Sequence, residues 1–184
     1  MNRATLIESL RRYTTPFAEE QAFIKPFLEL LQQSRAYHRD HLPGHITGSA
    51  WIIDTSGQRV LLTHHAKLNR WLQPGGHADG DENILQVALR EAEEETGLTH
   101  FDNLVEGIFD IDIHTIPART DFPQHLHYDI RFLLQADTED ELMMSDESHD
   151  LAWFDSSRLA DYVQGNASIM RMHEKVKSLF GADQ

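Results

Sequence analysis

The stretch PGGHADGDENILQVALREAEEETG, residues 74 to 97, sets Glu91, Glu93, Glu94 and Glu95 almost side by side in a helical pattern. On a helix, residues three and four apart share a face, so Glu91, Glu94 and Glu95 project together and repel one another. Such a group is either a solvated acidic surface or a set of oxygen ligands. Hard divalent cations such as Mg²⁺ take oxygen ligands and commonly bridge protein carboxylates to substrate phosphates. Ile84, Leu85, Ala88 and Ala92 form a neighbouring apolar stripe, which gives the helix a side to pack while the carboxylates stay presented. The glycines just before the helix let backbone approach the same place with no side chain in the way. A charge run taken alone is usually surface, and what surrounds it must decide.

Composition narrows the chemistry further. The chain has 184 residues and no cysteine, which removes disulfides, thiolate nucleophiles and thiolate metal sites together. Any metal must be held by oxygen or imidazole. The formal charge is −14, with 30 acidic against 16 basic residues. That balance disfavours gripping a nucleic-acid backbone, which relies on clustered Lys and Arg, so no nucleic-acid partner is expected. No apolar run approaches a bilayer span, and the N-terminal MNRATLIESLRRY lacks the apolar stretch of a signal peptide. A cytoplasmic protein with no membrane association is the expectation.

The elements that must position the glutamates follow from periodicity. Residues 3 to about 35 carry apolar residues at helical spacing, including Leu6, Leu10, Phe23, Phe27, Leu28 and Leu31, with Pro26 as a break or kink. The polar stretch 37 to 44 reads as a linker. From His45 the period shortens to two: ITGSAWIID and RVLLTHH read as strands, as do LVEGIFDIDIHTI and HLHYDIRFLLQ beyond the helix. The glutamate helix is expected over about 82 to 96, capped by Gly97. A loop through Pro117 to Pro123, an acidic loop over 137 to 149, a short strand at Leu151 to Phe154 and a final helix over 167 to 180 complete the pattern. This gives an α/β domain over residues 44 to 184, preceded by a helical extension over 1 to 43 whose apolar spacing suggests a packing or homodimer surface.

Gly76, Glu82, Arg90, Glu91, Ala92, Glu94, Glu95, Gly97 and Leu98 together match the Nudix box, G-x5-E-x7-R-E-U-x-E-E-x-G-U, at every fixed position. Ala92 is small for its bulky apolar position. The chain resembles the Nudix hydrolases over about residues 44 to 180. The resemblance implies an α/β/α sandwich with a mixed sheet, and metal-dependent hydrolysis of a small phosphorylated nucleotide, a nucleoside diphosphate linked to another group. It implies Mg²⁺ or Mn²⁺ as cofactor, held by Glu91, Glu94 and Glu95 with the Gly75 carbonyl. It makes Glu82 and Arg90 residues that orient the ligands, with Gly76 and Gly97 supporting the turn and the cap. Glu147, in the loop glutamate's usual place, and Glu94 are the rival general bases, and Glu147 is also a candidate ligand. A Nudix domain that senses nucleotides without turnover is the alternative, although such domains usually lose box glutamates. A diphosphate isomerase of the same fold would need a catalytic cysteine, which is absent.

Other polar residues are candidates for substrate contact. His77 and Asp79 follow the double glycine, and Arg70 precedes it, either as a phosphate contact or as part of a simple exposed hairpin. His125, His127, Asp129 and Arg131 share one strand face, opposite Leu126, Tyr128, Ile130 and Phe132. Asp110, Asp112 and His114 likewise share a face. These faces line a substrate groove, bind a further metal, or are simply wet sheet faces. Trp51, Trp71 and Trp153 are candidates to stack on a base, or core residues.

Overall fold

The structure is a computed structural model describing residues 1–146 and 148–180. In chain order its elements are α1 (Arg3–Arg12), α2 (Ala18–Leu30), β1 (Gly44–Ile53), β2 (Arg59–His65), β3 (Arg70–Leu72) and β4 (Gly75–His77). There follow α3 (Ile84–Thr96), β5 (Asp102–Asn103), β6 (Asp110–Ile116), β7 (His125–Gln135), β8 (Ser148–Asp155), α4 (Leu159–Tyr162) and α5 (Ala167–Phe180). The chain forms two compact units, and β1, α3 and β7 each contribute residues to both.

The first unit holds residues 1–49, 75–89 and 105–132. Asn2 caps α1 by accepting from the Thr5 amide, and Leu6 and Leu10, one turn apart, are fully buried. Helix α2 continues through Pro26 and packs on β6, with Phe27 edge-on to Tyr128 at 5.3 Å between ring centroids. The carboxylate of Glu20 is fully buried and ties these helices to the sheet. It accepts from the Tyr13 hydroxyl at 2.6 Å, from the Thr15 hydroxyl, and from the Ile111 amide of β6 at 3.2 Å. The helices at the start of the chain are therefore part of this unit's core.

One expectation is corrected here. The stretch from residue 37, read as a polar linker, begins with a core residue: Tyr37 is buried, and its carbonyl accepts from the Gly80 amide at 2.8 Å. The neighbouring Ala36 carbonyl accepts from the Ile46 amide at 2.8 Å. Backbone hydrogen bonds hold this segment, and hydropathy averaged over neighbouring polar residues hides the single aromatic anchor.

Strands β6 and β7 pair antiparallel from Asp110↔Arg131 to Ile116↔His125, and β4 pairs antiparallel with β1 through Thr47↔His77 and Ser49↔Gly75. The β1 to β4 approach demands glycine. A Cβ on Gly75 would lie 2.1 Å from the Ser49 Oγ. Opposite Gly76, a Cβ on Gly48 would meet the Ile84 carbonyl at 3.0 Å, so the start of α3 sits directly on bare backbone.

The second unit holds residues 50–74, 90–104 and the chain from Leu133 onward. Here β2 pairs antiparallel with the end of β1, with β3, and along most of its length with β8. Trp51, Ile52 and Ile53 of β1 and Leu61 and Leu62 of β2 are buried to 1% exposure or less and form its core. Helix α5 covers the residues expected of it and buries Ile169, Met172 and Val176. The buried stripe on α3 is Ile84, Val87, Ala88 and Ala92; Leu85, counted in that stripe from spacing, is only half-buried and Val87 takes its place. Positions 84, 88 and 92 fix the stripe, and the turn of the helix brings 87 beneath 84 rather than 85.

Candidate active site on the glutamate helix

The box glutamates lie on the last turns of α3, in the second unit. Ala92, set among these glutamates, is fully buried. Glu91 is largely buried and accepts from the Arg90 guanidinium at 2.7 Å. Glu95 is half-buried and accepts from the Thr63 hydroxyl of β2 at 3.1 Å. Glu94 is exposed, with Arg90 3.7 Å away. Two carboxylates thus have anchored oxygens and the third reaches into solvent. All three offer hard oxygen donors, the chemistry that suits Mg²⁺ or Mn²⁺ rather than soft metals. Glu93, the fourth glutamate of the run, is exposed on the turn between them.

Gly97 ends the helix. Its φ of 75° is left-handed, its amide donates to the Glu93 carbonyl at 2.9 Å, and a Cβ there would fall 2.6 Å from the Met143 Cβ. The Met143 amide in turn donates to the Thr96 carbonyl at 2.8 Å, so the loop at Met143 closes over the helix end.

The remaining candidates are spread over both units. Gly75, Gly76 and His77 form β4 in the first unit, and Asp79, at φ 51°, is ion-paired with Arg39. Glu82, just ahead of α3, is paired with Arg3 of α1 at 2.8 Å. Arg70 is an exposed residue of β3 in the second unit. Glu147 lies outside the described residues. Trp51 is core, whereas Trp71 and Trp153 are half-buried, Trp71 standing edge-on to Phe154 at 4.6 Å.

The aspartate and arginine part of the β6 and β7 polar faces is not wet, whereas His114 is partly exposed. Asp110, Asp129 and Arg131 are each 2% exposed or less, and Asp112 is also buried. The guanidinium of Arg131 meets Asp129 at 2.8 Å, Asp110 at 3.1 Å and Asp112 at 3.2 Å. The other oxygen of Asp129 accepts from the Ser49 and Thr47 hydroxyls at 2.7 and 3.0 Å. Burial would lower the pKa of Arg131, but the three aspartates outweigh it and hold the group charged. Alternation correctly grouped these residues on one face. It does not reveal that a second polar layer covers that face, because the covering hydroxyls lie on β1, some eighty residues away.

His125 and His127 continue the same face in a different setting. His125 is buried, with Nδ1 2.9 Å from the Pro123 carbonyl. His127 is half-buried, opposite His114 in the β6–β7 register. His45, which sequence reasoning passed over, stands among them: its ring centroid is 4.9 Å from that of His127, 5.1 Å from His125 and 5.2 Å from His77. The signal for it was present in the alternating His45, Thr47 and Ser49 of β1, which places all three on one strand face.

Comparison with known proteins agrees with this fold. The NUDIX domain family model matches residues 43–172. Over 137 residues the chain is 26% identical to a probable DHNTP pyrophosphohydrolase of Lactococcus lactis, covering 73% of this chain and 80% of that protein. It is 42% identical over 81 residues to the m7GpppN-mRNA hydrolase NUDT17 of Bos taurus, covering 40% of this chain. The match spans only 27% of the bovine protein's length. That relative's name places mRNA among its own substrates. Among solved structures, an Ap4A hydrolase of C. elegans superposes with a TM-score of 0.59 at 18% identity, covering 74% of this chain and 97% of that one. A NUDIX-family hydrolase from Clostridium perfringens superposes with a TM-score of 0.56 at 25% identity, covering 73% and 97%. With every fixed position of the box present from β4 to the end of α3, the α/β fold shared with these structures and the family model matched over residues 43–172, the chain belongs to the Nudix family.

Proposed function

We propose that the protein hydrolyses a phosphoanhydride bond in a nucleoside diphosphate derivative, with the divalent cation held by Glu91, Glu94 and Glu95. The observation that carries this reading is the state of those three carboxylates on one helix: two anchored by Arg90 and Thr63, and one free to reach outward. When bound there, Mg²⁺ or Mn²⁺ would neutralise the diphosphate and lower the pKa of a bound water. The chain's own residues do the rest. Arg90 holds the Glu91 carboxylate and Thr63 orients Glu95, so neither side chain must be ordered when ligand arrives. Glu94, exposed and only loosely approached by Arg90, takes the proton of the attacking water, and Glu147 is its rival for that role.

A small dinucleoside polyphosphate or a pterin-type triphosphate is the substrate class favoured here, extending to this chain what the relatives' names say of them. A capped RNA is the second reading, from the bovine relative. A product-release screen over nucleoside triphosphates, nucleotide sugars, dinucleoside polyphosphates and capped RNA, with Mg²⁺ or Mn²⁺ and with chelator, tests the proposal. Turnover of at least one diphosphate-containing class that chelator abolishes is expected. Metal-independent turnover, or none in any class, would overturn it.

A further inference from the structure

The first unit contains a second group of ligand-type side chains that the glutamate helix does not use. His45 of β1, His77 of β4 and His127 of β7 each bring a ring nitrogen to within 4.8 Å of those of the other two. The topology explains the convergence. Thr47 pairs with His77, so His45, two residues away on the same face, is its diagonal neighbour. Residues 43 and 44, immediately before and at the start of β1, lie against Leu126, and this brings His45 beside His127.

Burial makes the arrangement costly as it stands. His45 is fully buried, its imidazole touched by the His41 backbone but making no well-formed hydrogen bond, and among the described residues the buried Nε2 of His127 has no partner. A buried polar nitrogen without a partner costs about 1–3 kcal/mol, so each such group calls for an explanation. A core built for packing alone would place apolar residues at these positions. Three imidazoles whose ring nitrogens lie within 4.8 Å of one another, with the buried Nε2 of His127 unpartnered among the described residues, instead make up a nitrogen donor set.

We infer that His45, His77 and His127 form a binding site for a divalent transition-metal ion of the zinc class. Nitrogen donors select such ions over the Mg²⁺ or Mn²⁺ suited to the glutamates. A tetrahedral site with metal–nitrogen distances of about 2.0–2.1 Å needs nitrogens about 3.3 Å apart, so nitrogens now within 4.8 Å of one another would draw closer on binding. Three imidazoles leave a fourth position for water. The ligands are ready in their neutral form: burial first, then the neighbouring imidazoles, lowers the pKa of His45 to about 4 and that of His127 still further. Burial likewise lowers that of His77. The ion would fasten β1, β4 and β7 together, a role separate from hydrolysis at α3.

Co²⁺ titration of the chelator-stripped protein tests this directly, because a low-coordinate nitrogen site absorbs strongly in the visible range whereas an octahedral carboxylate site absorbs weakly. The expected result is an intense band at about one equivalent, displaced by Zn²⁺, retained in Glu94→Gln and lost in His127→Gln and His45→Gln. Only weak absorption in the unaltered protein, or a strong band surviving in both histidine variants, would overturn the assignment. Since His45 is wholly buried and its variants can unfold, the unaltered ¹⁵N-labelled chain supplies a second reading. Zn²⁺ must shift the imidazole signals of His45, His77 and His127 together and raise the melting temperature. Imidazole signals that stay in place, as a purely water-filled cluster would leave them, would equally sink it.

Discussion

At the scale of single residues, the proposed mechanism rests on how each glutamate is held rather than on the count of negative charges. Residues of one type have been given three environments: Glu91 beside a guanidinium, Glu95 beneath a hydroxyl, and Glu94 in solvent. Sequence spacing was enough to place all three on one face, because helical geometry is local. It could not show that Thr63, thirty-two residues earlier on β2, is the donor that fixes Glu95. This partner is testable. Thr63→Val keeps the shape of a buried strand residue and removes only the hydroxyl, so the fold should persist while Glu95 loses its orientation. An apparent metal affinity weaker by about 10–100-fold, with kcat at saturating metal little changed, is expected. The check is activity titrated against free Mg²⁺, and an unaltered metal dependence would show that Thr63 does not position a ligand.

At the scale of elements, the positions that matter are those where two segments meet with no slack. Gly97 combines left-handed backbone with the nearby Met143 Cβ, so Gly97→Ala meets strain and overlap together. A loss of at least about 1 kcal/mol is expected from the backbone alone, read from the urea midpoint. Stability equal to wild type would mean the helix end relaxes freely. Glu20 is the corresponding point for α1 and α2. Its carboxylate has the Tyr13 and Thr15 hydroxyls and the Ile111 amide as donors, and Glu20→Ala leaves those donors unsatisfied inside the unit. About 3 kcal/mol or more of destabilisation should follow, with Glu20→Gln milder because one acceptor oxygen remains. Equal effects of the two variants would contradict that account. On α5, burial first and then Lys177 lower the pKa of His173. Its folded value lies below the unfolded one, so the unfolded chain binds the extra proton as pH falls below about 6.5, and stability drops there. His173→Gln should flatten the fall in melting temperature between pH 7 and 5, relative to wild type; a parallel fall in both would exclude this contribution. These contacts were illegible in the sequence. Period and turn chemistry gave β1, β2, β6, β7, β8, α3 and α5 but not the short β3, β4 and β5, while Glu20 carried no signal of its role and Tyr37 read as part of a linker, because Ile111 and Gly80, which they meet, are remote in the chain.

At the scale of the whole molecule, what the sequence disclosed and what it withheld divide along the same line. The box is a contiguous motif whose spacing encodes a turn, a helix and its cap, so both the family and the glutamate face could be read directly. The buried Arg131 network and the histidine cluster are assembled from β1, β4, β6 and β7, and only register brings them together. Among the described residues no helix is long and apolar enough to cross a membrane. The N-terminal helices, set apart as an extension on sequence grounds, belong to a compact unit with β4, β6 and the start of α3. The central claim, that the α3 glutamates hold the metal for hydrolysis, meets its most direct test in Glu94→Gln. The side chain is exposed and the amide nearly isosteric, so melting temperature should match wild type within the small range of surface substitutions. Loss of a metal-binding or proton-accepting carboxylate removes several kcal/mol of transition-state stabilisation, so kcat in saturating Mg²⁺ should fall about a hundredfold or more. A folded Glu94→Gln protein turning over at the wild-type rate would contradict the claim.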